Sequence, residues 1–420
     1  MIVLAHGIGG REDLPLPGDL VLQAGGAVVL VTFLAVALLW REPRFAGAVR
    51  GRPLPATLRR VLDAPALRAV LRWLGALVGA YLLVVAFIGP ADADANPVPR
   101  ALYVLVWVGL VPTSLLLGPV WRLVNPLRTV HRLLAAALRV PAGGVRELPA
   151  RLGYWPAAAS LAVFVWLELV APHRDEPQVV GAFLVLYGAA HVAAALVFGA
   201  SWFERGDGFE VYSALIGSLA PIGRRPDGTL VLRNPLVGLA QVVPAPGLVA
   251  VLAVWWGSTV FDGLTGATAW INWSEQSRVA IGTLTLAVLI ALVAGSYRLA
   301  TGKLAAELAS TLVPIAVGYT LAHYAALLLV EAPRGLAQLG VPLGLGEQLG
   351  PVTADAVPAP TVLAVIQVAA ILAGHVVAVL AAHDRSAALL PAHRRLADQI
   401  PLVLLMVVYT MVGLFLLVVA

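Results

Sequence analysis

The stretch TVLAVIQVAAILAGHVVAVLAA, residues 361–382, contains no Asp, Glu, Lys or Arg, and His383-Asp384-Arg385 closes it. A helix rising ~1.5 Å per residue crosses the hydrocarbon core of a bilayer in about 20 residues, so this run reads as one complete span. Nine further runs read the same way: 20–40, 73–88, 101–120, 154–170, 179–200, 247–264, 280–297, 310–330 and 401–420. Composition agrees, because a chain of 420 residues that is 60% hydrophobic and only 12% charged has too little polar surface for a soluble domain. The expected fold is all-α, a polytopic integral membrane helical bundle of about ten transmembrane helices, forming a single transmembrane domain over 1–420 with the lipid bilayer as its first partner.

Orientation follows from the basic residues. Lys303 is the only lysine, and the loops after the first, third, fifth, seventh and ninth runs carry 23 of the 28 Lys and Arg. The other side holds five: Arg11, Arg100, Arg174, Arg278 and Arg334. A partition that respects every alternation implies both termini extracytoplasmic. Arginines confined to short loops between apolar runs set orientation, and they exclude nucleic acid as a partner. With no cysteine, disulfides, iron–sulfur clusters and thiolate metal sites are excluded as well.

The connections differ in texture. Residues 1–19 read as an extracytoplasmic N-terminal segment. Its Val3-Leu4-Ala5 has the small residues a signal peptidase favours, and cleavage there would leave His6 with an amine and an imidazole suited to Cu(II), although an unprocessed tail is the preferred reading. Residues 332–360, rich in Gly and Pro, form the longest extracytoplasmic loop, and Trp270 and Trp273 suit interfacial anchors. On the inner side, Arg59, Arg60, Arg68 and Arg72 recur at near-helical spacing, as in a surface helix near anionic headgroups. Residues 201–235 form a structured cytoplasmic loop: Val211 to Ala220 reads as a short apolar helix at the interface. Arg225-Pro226-Asp227-Gly228-Thr229 follows as a tight turn, and Leu230 to Leu232 as an extended run.

Within the spans the only charged residues are Glu168 and Asp262, both near outer ends. An ionisable group in the bilayer costs at least ~2.5 kcal/mol, so it normally faces the bundle interior or a wet cavity. Glu168 and Asp262 are therefore candidate catalytic carboxylates of an outward-facing vestibule. His191, His323 and His375 lie deeper, roughly 18, 12 and 21 Å below the outer boundary. Tyr187 and Tyr319 stand one turn before the first two, on the same faces. Three imidazoles at similar depth make a candidate site for a divalent transition metal, Zn or Cu, with a position left for water. A pair would instead suit haem b or a proton relay, and each histidine alone would serve as a hydrogen bond across a helix contact.

Several strings are familiar together: Ala5-His6-Gly7-Ile8-Gly9-Gly10-Arg11, Gly206-Asp207-Gly208-Phe209-Glu210-Val211-Tyr212-Ser213, Ala220-Pro221-Ile222-Gly223-Arg224-Arg225, Ala322-His323-Tyr324, Gly374-His375 and His383-Asp384-Arg385. They resemble actinobacterial multi-pass proteins labelled fenitrothion hydrolase, nearly end to end. The resemblance implies hydrolysis of organophosphorus triesters or related esters, a small-molecule substrate, and metal-activated hydroxide as the easiest chemistry. No HxH pair or HExxH helix accompanies it. The competing readings are a transporter, suggested by Pro112, Gly257, Pro314 and Gly374 inside spans, and a metal- or haem-holding membrane subunit of a larger complex. Walker A, Rossmann and G-x-S-x-G signatures are missing from the sequence.

Overall fold

A computed structural model describes residues 17–47, 50–141, 143–265, 275–345 and 359–419. Among these, nine helical segments are long and apolar enough to cross a membrane. The principal helices are α1 (Gly18–Leu39), α2 (Ala56–Asp63), α3 (Pro65–Ile88), α4 (Val98–Leu117), α5 (Pro126–Ala137), α6 (Trp155–Leu169) and α7 (Pro177–Phe198). They continue with α8 (Gly208–Ser218), α9 (Leu248–Thr265), α10 (Glu275–Thr301), α11 (Val313–His323), α12 (Ala325–Gln338), α13 (Pro360–Leu389) and α14 (Arg395–Val419). Proline opens α3, α5, α7 and α13, where its missing N–H and fixed φ suit the first turn. The side chains of Leu34, Leu77, Ile88 and Leu186 stay exposed, as lipid-facing positions do.

Nine segments stand where ten runs are read from the sequence, and the reason is local. The seventh and eighth runs join in one 47-residue helical path, Ser277–His323. Between α10 and α11 the chain turns through Gly302 at φ +55° and then winds through short 3-10 and single α-turns to Leu312, with no irregular loop. The first apolar run of the central stretch also begins earlier than hydropathy suggests, since α3 carries Arg68 and Arg72 in its first two turns.

The chain divides into two compact units: 1–49, 234–329 and 355–420 form a terminal unit, and 50–233 with 330–354 a central unit. In the terminal unit α13 lies along α11, α1 packs on α13 and α14, and α9 on α10. The α11–α13 crossing depends on small residues: a Cβ on Gly318 would meet the Ala370 carbonyl, and one on Gly374 the Pro314 carbonyl. At the far end of α13 the His383-Asp384-Arg385 string ties down the segment after α1. The His383 ring lies 2.9 Å from the Trp40 carbonyl and 3.0 Å from Gln399 Oε1, and Asp384 accepts the Arg44 and Phe45 N–H groups.

In the central unit α8 is the correction to an interfacial helix. Phe209, Val211, Tyr212, Leu215 and Ile216 are all buried, and the helix packs against α4 and α6. Its polar side chains Glu210 and Ser213 are buried too, so it presents no polar face to water. Beyond it, β2 (Ile222–Arg224) and β3 (Leu230–Leu232) pair antiparallel around the Arg225–Thr229 turn, with Gly228 at φ +83°. A two-residue strand, β1 (Arg52–Pro53), adds to the other side of β3. The 332–360 stretch is helical through Gln338, followed by a turn at Val341–Leu343. Residues 346–358, the N-terminal segment before 17, and Trp270 and Trp273 lie outside the described residues.

Candidate acid–base site

In the terminal unit, α9 and α11 meet at their C-terminal ends, as the single crossing of α10 between them requires. Trp255 Nε1 donates to Thr320 Oγ1 at 2.9 Å, both fully buried, and fixes the two helices in register. Two turns farther along α9, Asp262 then faces the last residue of α11. His323 Nε2 lies 3.0 Å from Asp262 Oδ2, and the Tyr324 hydroxyl donates to the same oxygen at 2.8 Å. The chain leaves helical geometry at Tyr324, between α11 and α12. That break brings two consecutive residues onto one carboxylate, whereas successive helical side chains lie on different faces.

The pair is supported on three sides. Tyr319, one turn before His323, stacks on the imidazole at 6.0 Å between centroids and 11° between planes. Tyr324 meets it edge-on at 4.7 Å. Gln367 on α13 donates to the Ala322 carbonyl at 3.0 Å, holding the end of α11. His323 is 4% exposed and the Asp262 side chain 12%, so the pair is largely shielded from water. A carboxylate accepting from imidazole fixes the ring's tautomer and orientation and stabilises the imidazolium, the arrangement of a general base.

The central unit holds a second buried polar cluster. Asn125 caps α5 by accepting from Leu127 N–H, and Asp207 caps α8 by accepting from Phe209 N–H, both at 3.0 Å. The caps bond one another: Asn125 Nδ2 donates to Asp207 Oδ2 at 2.8 Å, and Tyr187 to Asp207 Oδ1 at 2.6 Å. Arg128, one turn into α5, forks onto both oxygens of Glu210 at 2.7 and 2.5 Å. Asp207, Glu210 and Asn125 are at most 2% exposed. Asp207 and Glu210 were read from sequence within the structured cytoplasmic loop 201–235. The signals that mark the cluster are the Asn-Pro start at 125–126 and the Asp-x-x-Glu capping pattern at 207–210.

The remaining sequence candidates lie apart in role. Glu168 and His191 belong to the central unit, and Asp262, His323 and His375 to the terminal unit. Glu168 stands half-buried on α6. His191 Nδ1 accepts from Trp202 Nε1 at 3.0 Å. Indole only donates, so the neutral ring carries its proton on Nε2 and presents no lone pair there. The ring of its expected neighbour Tyr187 lies 4.3 Å away, tilted by 53°. His375 Nδ1 donates to the Ile371 carbonyl at 2.9 Å, and its buried Nε2 has no hydrogen-bond partner among the described residues. Among those residues no group of three His, Asp or Glu is arranged to hold a metal ion.

Compared with known proteins, the chain matches no family model, no curated protein and no solved structure.

Proposed function

We propose that Asp262, His323 and Tyr324 form the acid–base site of a membrane-embedded hydrolase for organophosphorus triesters or related apolar esters, in a bacterial plasma membrane with both termini outside. The observation that carries this reading is the single Asp262 oxygen shared by an imidazole nitrogen at 3.0 Å and a phenol at 2.8 Å. His323, oriented by Asp262, takes a proton from water as the water oxygen attacks phosphorus or carbonyl carbon. The leaving alkoxide or phenoxide departs with the electron pair of the broken ester bond and recovers that proton from the imidazolium. Asp262 orients the ring and offsets its positive charge, and Tyr324 holds the carboxylate in place. Such proton transfer contributes roughly 10²–10⁴-fold in rate. An apolar neutral ester suits a site among apolar helices, since it partitions from the bilayer without a charge to desolvate.

One feature favours a second reading, proton-coupled transport: the helix is broken beside the titratable pair, as in substrate pathways through discontinuous helices. A single preparation separates the two. Protein in lipid nanodiscs is given a triester with a p-nitrophenyl leaving group, and p-nitrophenolate release is followed. Hydrolysis by the wild type, lost in His323→Gln, supports the hydrolase. No hydrolysis, together with proton movement into proteoliposomes that His323→Gln abolishes, moves the site to the transporter.

A further inference from the structure

Tyr319 on α11 reaches out to both α9 and α14, and a glycine on each makes room for it. A Cβ on Gly413 of α14 would lie 3.1 Å from Tyr319 Cδ2, so the ring rests directly on that glycine. A Cβ on Gly263 of α9 would stand 3.4 Å from the Tyr319 hydroxyl oxygen and 3.6 Å from Leu416. Those are ordinary contact distances. Beside Gly263 there is therefore an open notch with room for a single methyl group or oxygen atom, faced by a phenol on one side and an apolar side chain on the other. The notch adjoins the acid–base pair on both helices: Gly263 follows Asp262 in the chain, and the Tyr319 ring stacks on His323 with 6.0 Å between centroids.

The phenol has no other task. Tyr319 is 3% exposed, and among the described residues its hydroxyl makes no hydrogen bond, whereas the Tyr324 hydroxyl is given to Asp262. A buried O–H without an acceptor is costly, and the notch is a place from which an acceptor can reach it. We propose that the Tyr319 hydroxyl is a further catalytic donor, hydrogen-bonded to the phosphoryl or carbonyl oxygen of an ester seated in the Gly263 notch; the proposal rests on the hydrolase reading of Asp262 and His323. As water attacks, an electron pair of the P=O or C=O bond shifts onto that oxygen, and the Tyr319 hydrogen bond strengthens as the negative charge grows. The pair returns when the leaving group departs, and Tyr319 keeps its proton throughout. Leu416 brings no competing donor, so the phenol is the group that meets the oxygen there. Sulfur is larger and a weaker acceptor, so the site selects oxo esters over their thiono counterparts.

The test compares a p-nitrophenyl phosphate triester with its thiono counterpart, in which P=S replaces P=O. Nanodiscs hold wild type, Tyr319→Phe, Gly263→Ala or both substitutions together. Tyr319→Phe keeps the ring and its stacking, and kcat for the oxo triester is expected to fall about 10²-fold, the effect of removing one such donor, with the unfolding midpoint nearly unchanged. The thiono rate is expected to change far less, so the oxo-to-thiono ratio falls too. Gly263→Ala, whose methyl group fits at 3.4 Å from the phenol oxygen, is expected to show a similar loss. The double variant is expected to lose no more, because both substitutions remove one contact. Wild-type oxo turnover by Tyr319→Phe or by folded Gly263→Ala, beside an inactive His323→Gln, would overturn this assignment and leave the acid–base pair standing. An equal drop on both triesters would also overturn it, leaving Tyr319 as a support for the imidazole. Wild type that hydrolyses neither triester would remove the hydrolase reading, and this donor with it.

Discussion

The two buried polar clusters use similar side chains to opposite ends. In the central unit, Asp207 and Glu210 are met by Asn125, Tyr187, backbone N–H groups and the fork of Arg128. In the terminal unit, Asp262 is met by an imidazole and a phenol. A guanidinium does not give up its proton under ordinary conditions, so the first cluster is a fixed knot that joins the starts of α5 and α8. Imidazole is a donor that can change charge, so the proposed acid–base role falls to the second. What separates a structural cluster from a chemical one here is the lability of its donors and not the number of its charges.

The comparison breaks first if Arg128 proves dispensable. Arg128→Ala strands Glu210 buried without its cation, and the loss of stability should be about 3–5 kcal/mol. Thermal unfolding in detergent measures it, and a change below 1 kcal/mol would mean that the cluster is solvated. Asn125→Ala removes one cap and its bond to Asp207, and should cost about 1 kcal/mol; its hydrolytic rate per folded molecule should match wild type, since the terminal site is untouched.

A smaller effect comes through pH. Burial, then the charges of Arg128 and Arg132, hold the His131 imidazole below its ordinary pKa of about 6.5. The unfolded chain therefore takes up the proton first as pH falls. Stability is complete above 6.5 and declines as the pH drops below it toward the depressed folded value. The unfolding midpoint of wild type should fall between pH 7 and 5, and His131→Gln should flatten that slope; parallel slopes would remove His131 as the cause.

The spans were legible because lipid imposes one requirement over about 20 consecutive residues, and the helices follow it run by run. The junction of α10 and α11 was not, since Gly302 and the turns after it look in sequence like any loop. Both Asp262 and His323 stood out as ionisable groups in apolar runs, but in separate roles, a vestibule carboxylate and a metal ligand. Their pairing joins residues 61 apart in sequence, and it depends on how far α9 slides along α11, which the Trp255–Thr320 bond fixes only in the fold. Tyr319 was placed correctly by its helical spacing, whereas Tyr324 escaped because it owes its direction to the helix break. Arg128, Asp207 and Glu210 were hidden for the converse reason: they lie in connections between the spans, and only tertiary packing buries them.

The most direct measurement is the turnover of a p-nitrophenyl triester by wild type and Asp262→Asn in the same nanodiscs, with thermal unfolding as the check on folding. An amide preserves shape and one acceptor while removing the charge that makes His323 a base. The predicted result is a loss of about 10²–10⁴-fold in kcat with the unfolding midpoint nearly unchanged. Equal turnover by a folded Asp262→Asn would contradict the assignment of the acid–base site to Asp262 and His323.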